Sequence, residues 1–189
     1  MTSVSDQKTA LRQALRRLRR RLAAGDVDAA AKALAHLPVR RLGAGPVAGY
    51  VAKGAELDPA PLMEALARAG AALALPAAVS RDAPLIFRAW TPGAPLMPDA
   101  FGIPAPLADQ PKVVPTALIL PLLAFDRRGG RLGQGAGVYD RAIAALGADH
   151  RPYLLGYGYA GQEIEDLPLE PHDQRLDAIL TEAGLIEVR

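Results

Sequence analysis

The run Arg131-Leu-Gly-Gln-Gly-Ala-Gly-Val-Tyr-Asp-Arg141 sets three alternating glycines, Gly133, Gly135 and Gly137, between two arginines and ends beside a carboxylate, Asp140. An apolar stretch, Leu118 to Phe125, leads into it, and a helix-like stretch, Tyr139 to Leu146, leaves it. Strand, glycine-rich basic loop and helix in that order gather free backbone N–H groups at a positive dipole end, where anions bind. Arg131 and Arg141 add forked donors that match phosphate. The pattern reads as a site for a polyphosphate, most simply a nucleotide. A flexible turn would need only the glycines. The adjoining arginines and the Tyr139-Asp140-Arg141 helix start favour the phosphate reading. Two familiar fingerprints do not fit. A Walker loop ends in Gly-Lys-Ser/Thr, whereas Gly137-Val138-Tyr139 stands here. A dinucleotide loop needs a third glycine where Val138 sits.

Other candidates lie elsewhere in the chain. Lys8 and Arg12 are four residues apart and share a helix face, which Arg16 continues and Arg19 adjoins. For the later arginines a solvated basic face is the simpler account. A nucleic-acid surface is the other account of such a helix, but no nucleic-acid module accompanies it, and aromatics at 5% leave few stacking platforms. Asp140 at a helix start favours the macrodipole, and a carboxylate beside a triphosphate also suits a Mg²⁺ ligand. Asp173 after Pro171 reads as a turn residue or as a second such ligand. His172 reads as a turn residue, and His36 and His150 have no partner recognisable in the sequence, so no histidine-based metal site is supported. Glu56 follows Val51 at the carboxyl end of a strand, the side of an α/β sheet where ligands gather.

Taken together these residues resemble the 5-formyltetrahydrofolate cyclo-ligase family. Arg131 to Arg141, preceded by Pro121-Leu-Leu-Ala-Phe-Asp126, is similar to its signature. Lys8-Thr-Ala-Leu-Arg12, Glu56, Phe101-Gly-Ile-Pro-Ala-Pro106, Gln162, Pro171-His-Asp173 and Leu176-Asp177 resemble further family elements in the right order. Val138 stands where the family often has a tyrosine, and Ala105 where it often has a glutamate. The resemblance covers nearly the whole chain.

The resemblance implies ATP-dependent conversion of 5-formyltetrahydrofolate to 5,10-methenyltetrahydrofolate, with ADP and phosphate released. The formyl oxygen attacks the γ-phosphorus, N10 then attacks the activated carbon, and phosphate leaves. Such chemistry asks for positioning and charge stabilisation rather than a covalent nucleophile, in keeping with a chain that has no cysteine. The implied ATP contacts are Lys8, Arg12, Arg131, Leu132, Gly133, Gln134, Gly135, Ala136, Gly137, Val138 and Tyr139, with Lys8 and Arg131 also catalytic. Val51, Glu56, Phe101 and Tyr139 are implied to contact folate, and Asp140 and Asp173 to hold Mg²⁺. A paralogue that only binds or regulates, and another small-molecule phosphotransferase, are the alternative readings.

The elements that must position these residues follow from periodicity. Leu11, Leu15, Leu18 and Leu22 predict an amphipathic helix over 6–23, with a second helix over 27–37. Pro46–Val51 predicts a short buried strand. Asp58-Pro59 caps a helix that Gly70 stops. Ala72–Leu75, Leu85–Trp90, Leu118–Phe125, Tyr153–Tyr157, Ala178–Leu180 and Leu185–Val188 predict further strands, and 91–115 an irregular excursion. Strands alternating with helices predict an α/β chain: a single-domain three-layer α/β/α fold over 1–189, with a mainly parallel sheet and an amino-terminal basic helix. With 189 residues, half of them hydrophobic, the chain can bury a core. The net charge of +2 conceals a basic segment: Lys8, Arg12, Arg16, Arg17, Arg19, Arg20 and Arg21 have no acidic residue among them. No signal-peptide core opens the chain, and no run nears the roughly 18 apolar residues of a membrane span. A cytoplasmic protein with no membrane or nucleic-acid partner is expected; the oligomeric state is not legible.

Overall fold

The computed structural model describes residues 4–43, 45–147 and 151–188, so His150 lies outside the described residues. Along the chain run helix α1 (Val4–Gly25), α2 (Ala29–Leu34), α3 (Val39–Leu42), strand β1 (Val47–Ala48), α4 (Ala60–Arg68), β2 (Leu73–Ala77) and β3 (Ile86–Ala89). Then come β4 (Leu96–Pro98), β5 (Pro104–Pro106), β6 (Lys112–Val113), β7 (Ala117–Pro121), β8 (Ala124–Phe125), β9 (Arg131–Leu132) and α5 (Val138–Leu146). Strand β10 (Tyr153–Tyr157), a 3₁₀ turn (Ala160–Gln162), β11 (Ala178–Thr181) and β12 (Gly184–Glu187) complete it.

Eight strands form one sheet in the order β12-β11-β10-β7-β1-β2-β3-β6. Its centre, from β11 to β2, is parallel. The flanking pairs β11–β12, β2–β3 and β3–β6 are antiparallel. Alternation along the strands divides the core. Val47, Ile119, Leu155 and Leu180 face α2 and α4, packing with Ala29, Ala33, Leu62 and Leu66. Ala48, Leu118, Leu120, Leu154 and Ile179 pack on the other side with Ala142 and Ile143 of α5. Both faces are therefore covered, as the three-layer expectation required.

Helix α1 docks by its leucine stripe. Leu15 is buried with Leu123, Leu132 and Leu167, and Leu11 and Leu18 pack against them. Leu22 lies directly on the backbone of Gly161, where a Cβ would come within 2.7 Å of its Cδ2.

Several expectations need correction. The second helix is only Ala29–Leu34, and α3, starting after Pro38, was not foreseen. The β1 strand keeps only Val47–Ala48 of the expected 46–51. The helix starts one residue later than expected, so its N-cap is Pro59 rather than Asp58, and Asp58, one residue before the cap, accepts the Ala60 N–H at 3.0 Å. The stretch 91–115 contains three strands; those prolines that fall within strands, Pro98, Pro104 and Pro106, lie in the two-stranded β4–β5 ribbon, and β6 lies on the edge of the main sheet. Leu118–Phe125 is not one strand. Pro121 has no N–H to continue the ladder, and the next two carbonyls, of Leu122 and Leu123, accept Gln162 Nε2 at 3.0 and 2.9 Å. The chain leaves the sheet there and forms the β8–β9 hairpin. Buried Asp126 secures its turn by accepting the Arg128 and Gly130 N–H groups at 2.9 and 2.8 Å.

Candidate functional site

A cleft of about 690 Å³ opens beyond the carboxyl ends of β1, β2 and β7, a volume that suits a small-molecule site. Lys8, Arg12, Val51, Glu56, Phe101, Asp140 and Asp173 line it, together with the whole run from Arg131 to Tyr139. The topology thus brings together residues from five separated segments of the chain.

The glycine loop is narrower than the sequence suggested. Arg131 and Leu132 belong to β9, and the loop proper is Gly133 to Gly137. Gly135 and Gly137 have φ of 108° and 61°, conformations that a side chain disfavours. From Gly137 the chain enters α5, whose first-turn N–H groups lack helical partners. Helix α1 lies along the loop. Arg12 Nε donates to the Gly133 carbonyl at 3.2 Å, and Arg16 donates to the Gln134 side-chain and backbone oxygens at 3.1 and 3.2 Å. Arg16 is thus a loop brace rather than a purely solvated charge. Arg141 donates to the Ala136 carbonyl at 2.7 Å and is not among the cleft-lining residues, so its expected phosphate contact is replaced by bracing of the loop.

Buried Arg131 points its Nη2 at both carboxylate oxygens of Asp140, 3.1 Å from each, and lies 5.9 Å from the Tyr139 ring centre. Its Nε is buried with no partner among the described residues. Asp140 also accepts the Gln174 N–H at 3.2 Å. Opposite them Lys8, only 5% exposed, bonds Glu170 at 2.8 Å and, more closely, Asp173. Burial works against the Lys8 ammonium, but the bonds and charges of Asp173 and Glu170 outweigh it and raise its pKa. Asp173 shows the reverse: burial pushes it up, yet the Glu170 N–H at 2.7 Å and Lys8 hold it below the ordinary value.

At the other end Glu56 sits beside Arg19, with Nη1 to Oε1 at 3.3 Å. Glu56 also accepts the Lys53 N–H at 3.0 Å, a local contact that spacing did not suggest. Gln134 of the glycine loop donates to the same carboxylate at 3.4 Å, so the two ends of the cleft meet. Phe101 is held by Asp99, which accepts the N–H groups of Phe101 and Ile103 at 2.8 and 3.0 Å. Arg81 stands 5.8 Å from the Phe101 ring centre. Burial, and then the charge of Glu56, push the Tyr139 hydroxyl far up, so it stays protonated. Val138 opens α5, and Ala105 is buried in β5, where a glutamate would have to be taken out of water.

Several cleft residues escaped sequence reasoning, Arg19 and Glu170 among them. Arg19, grouped with the solvated arginines, is 6% exposed and lines the cleft. Glu170 lines it too, and its place in Glu170-Pro171-His172-Asp173 was the available signal.

A divalent cation needs oxygen ligands with room to bind. Glu170, His172 and Asp173 each bring a ligand atom within 4.8 Å of the others. Both contacts of Asp173 fall on Oδ2, so Oδ1 has no protein partner among the described residues. Glu170 and Asp173 offer oxygens of the kind Mg²⁺ takes, with Lys8 seated between them in this structure. Both oxygens of Asp140 face Arg131 in this structure. No helix among the described residues is long and apolar enough to cross a membrane.

The 5-formyltetrahydrofolate cyclo-ligase family model matches residues 4–182. A 5-formyltetrahydrofolate cyclo-ligase of Escherichia coli is 36% identical across 75% of this chain and 80% of its own length. One from Mycolicibacterium smegmatis is 30% identical across 99% of this chain and 98% of its own. Among solved structures, the 5,10-methenyltetrahydrofolate synthetase of Aquifex aeolicus superposes with a TM-score of 0.76 at 26% identity, covering 96% of this chain and 93% of that one. The corresponding protein of Mycoplasma pneumoniae, at 21% identity and a TM-score of 0.70, shows the shared fold.

Proposed function

This chain belongs to the 5-formyltetrahydrofolate cyclo-ligase family, and from that premise we propose that its cleft converts 5-formyltetrahydrofolate to 5,10-methenyltetrahydrofolate at the expense of ATP. The observation that carries this reading is the meeting of a basic glycine loop and a buried carboxylate in one cleft, with Gln134 reaching Glu56 at 3.4 Å. Phosphoryl transfer to a folate needs both ligands within bonding reach.

In this reading ATP lies along the loop. The amides from Gly133 to Val138 and the side chains of Lys8, Arg12 and Arg131 face its phosphates. Leu132, Ala136 and Tyr139 complete the pocket. The folate lies toward Val51, Glu56 and Phe101, with the Glu56 carboxylate accepting the paired donors of the pterin and the Phe101 and Tyr139 rings packing on its plane. The formyl oxygen forms a bond to the γ-phosphorus while the bond to the ADP oxygen breaks. N10 then bonds to the formyl carbon and loses its proton, and phosphate departs with the former formyl oxygen. Lys8 and Arg131 neutralise the charge that builds on the transferring group, a task for positioned cations rather than a nucleophile. Each must first exchange carboxylate partners for phosphate: Lys8 leaves Asp173 and Glu170, and Arg131 leaves Asp140. Asp140 and Asp173 are then available to hold Mg²⁺, which when bound supplies further charge neutralisation at the phosphates. Glu170, next to Asp173, is placed to assist.

Incubation of the protein with 5-formyltetrahydrofolate and Mg-ATP tests the reading. Near-ultraviolet absorbance of the methenyl product should rise, and should fail to rise when either ATP or the divalent cation is omitted. Binding of ATP with no conversion of 5-formyltetrahydrofolate would replace the enzyme by a binding-only relative.

A further inference from the structure

Arg19 is a buried cation that the reaction outlined above does not use. Its side chain is 7% exposed and that of its partner Glu56 8%. One nitrogen, Nη1, serves two acceptors: Glu56 Oε1 at 3.3 Å and the Leu122 carbonyl at 3.2 Å. Leu122 is the first residue past β7, and its carbonyl also receives Gln162 Nε2 at 3.0 Å. Gln162 is itself fixed, because its Oε1 accepts the Tyr159 N–H at 2.8 Å. The acidic side chain beyond β1 is thereby tied through α1 to a rigid carbonyl at the end of β7. Gln134 and the Lys53 N–H complete the grip on the carboxylate at 3.4 and 3.0 Å.

A purely structural role accounts poorly for this arrangement. A buried ion pair is weak support for a fold, since apolar residues of similar volume serve as well or better. Arg19 also leaves its Nε buried with no partner among the described residues, a cost that needs an explanation. Both side chains of the pair line the cleft. Without Arg19 the nearest donors to Glu56 are an amide side chain and one backbone N–H, neither of them charged.

We propose that Arg19 is a positioning residue for the folate half of the cleft: it holds the Glu56 carboxylate in place and aimed so that it meets the paired ring donors of the pterin. The inference rests on the assignment of Glu56 to the folate. Arg19 acts on the folate through Glu56 and makes no contact with ATP, whose loop is braced instead by Arg12 and Arg16.

The test is steady-state kinetics on the full chain, with 5-formyltetrahydrofolate and Mg-ATP varied independently. The variants are Arg19→Gln, Arg19→Lys, Glu56→Gln and the double Arg19→Gln/Glu56→Gln. Arg19→Gln should raise KM for the folate by about tenfold or more, the scale of a lost charge-assisted contact, and move KM for ATP by no more than about twofold. Arg19→Lys should recover most of the loss, because an ammonium can donate to Glu56 and the Leu122 carbonyl from one nitrogen. The double variant should be no worse than Glu56→Gln alone, because Arg19 then has nothing left to position. It also removes both charges together, which keeps the comparison open if Arg19→Gln alone folds poorly. A rise in both KM values alike, an unchanged folate KM in Arg19→Gln, or full addition of the two single effects would overturn the proposal. An unchanged folate KM in Glu56→Gln would overturn the assignment of Glu56 and this proposal with it; failure of the Arg19 variants alone leaves that assignment standing.

Discussion

Arg131 Nη2 lies 3.1 Å from both carboxylate oxygens of Asp140, so the cation proposed for phosphate and the carboxylate proposed for a metal neutralise each other. In the proposed reaction, nucleotide and Mg²⁺ binding together would exchange that pair for two new ones. Asp140→Asn should therefore lower turnover and weaken the dependence on Mg²⁺ while the fold survives. Initial rates across a Mg²⁺ titration check this. Full activity of the variant at limiting Mg²⁺ would remove Asp140 from the ligand set.

Lys8→Ala and Arg12→Ala should each weaken ATP binding more than Arg20→Ala does. A lost charge-assisted contact costs roughly 1.5–3 kcal/mol, against about 0.5 kcal/mol or less at a surface position without partners. Arg20 is exposed, while Lys8 and Arg12 line the cleft. Calorimetric titration of ATP into the three variants decides it, and equal affinities would place α1 away from the nucleotide.

Gly135→Ala should raise KM for ATP several-fold with little change in melting temperature. Its φ of 108° is unfavourable to alanine, and the added Cβ would stand 3.1 Å from the Arg12 guanidinium. Arg12 must then give way and release the Gly133 carbonyl. The loop is exposed, so the cost falls on binding rather than on the core. An unchanged KM would show that the Arg12–Gly133 contact does not shape the nucleotide site.

The Lys8 contacts have a pH signature. Asp173 is held below 3.8, so its contribution is present above that value and is lost as pH falls through the lowered one. Lys8 is raised above 10.5, so its contribution is complete below that value and is lost as pH rises through the raised one. Lys8→Met should lower the melting temperature by a nearly constant amount between about pH 5 and 9, with the difference shrinking in stronger acid. A difference that varied steeply near neutrality would point to another titrating group.

The sequence was most legible where the chemistry is local. The three glycines of 133–137, the flanking arginines and Asp140 lie within the same few residues, and Gly135 and Gly137 adopt positive φ. Strands alternating with helices along the chain foretold a sheet covered on both faces. What distant contacts decide was hidden. Arg19 has the same local surroundings as Arg20, and only the seating of Leu15 and Leu22 turns it into the cleft. Glu170 reaches Lys8 across 162 residues. The apolar run 118–125 looked like one strand because its break depends on Gln162, far along the chain. Strands as short as Lys112–Val113 carry no periodicity of their own.

The division of the cleft between its two ligands is the centre of this account, and Glu56→Gln tests it most directly. The substitution keeps the size of the side chain and removes the charge proposed to meet the pterin. Calorimetry with each ligand separately should show weakened binding of 5-formyltetrahydrofolate and nearly unchanged binding of ATP. Loss of ATP binding with folate binding intact would contradict the account.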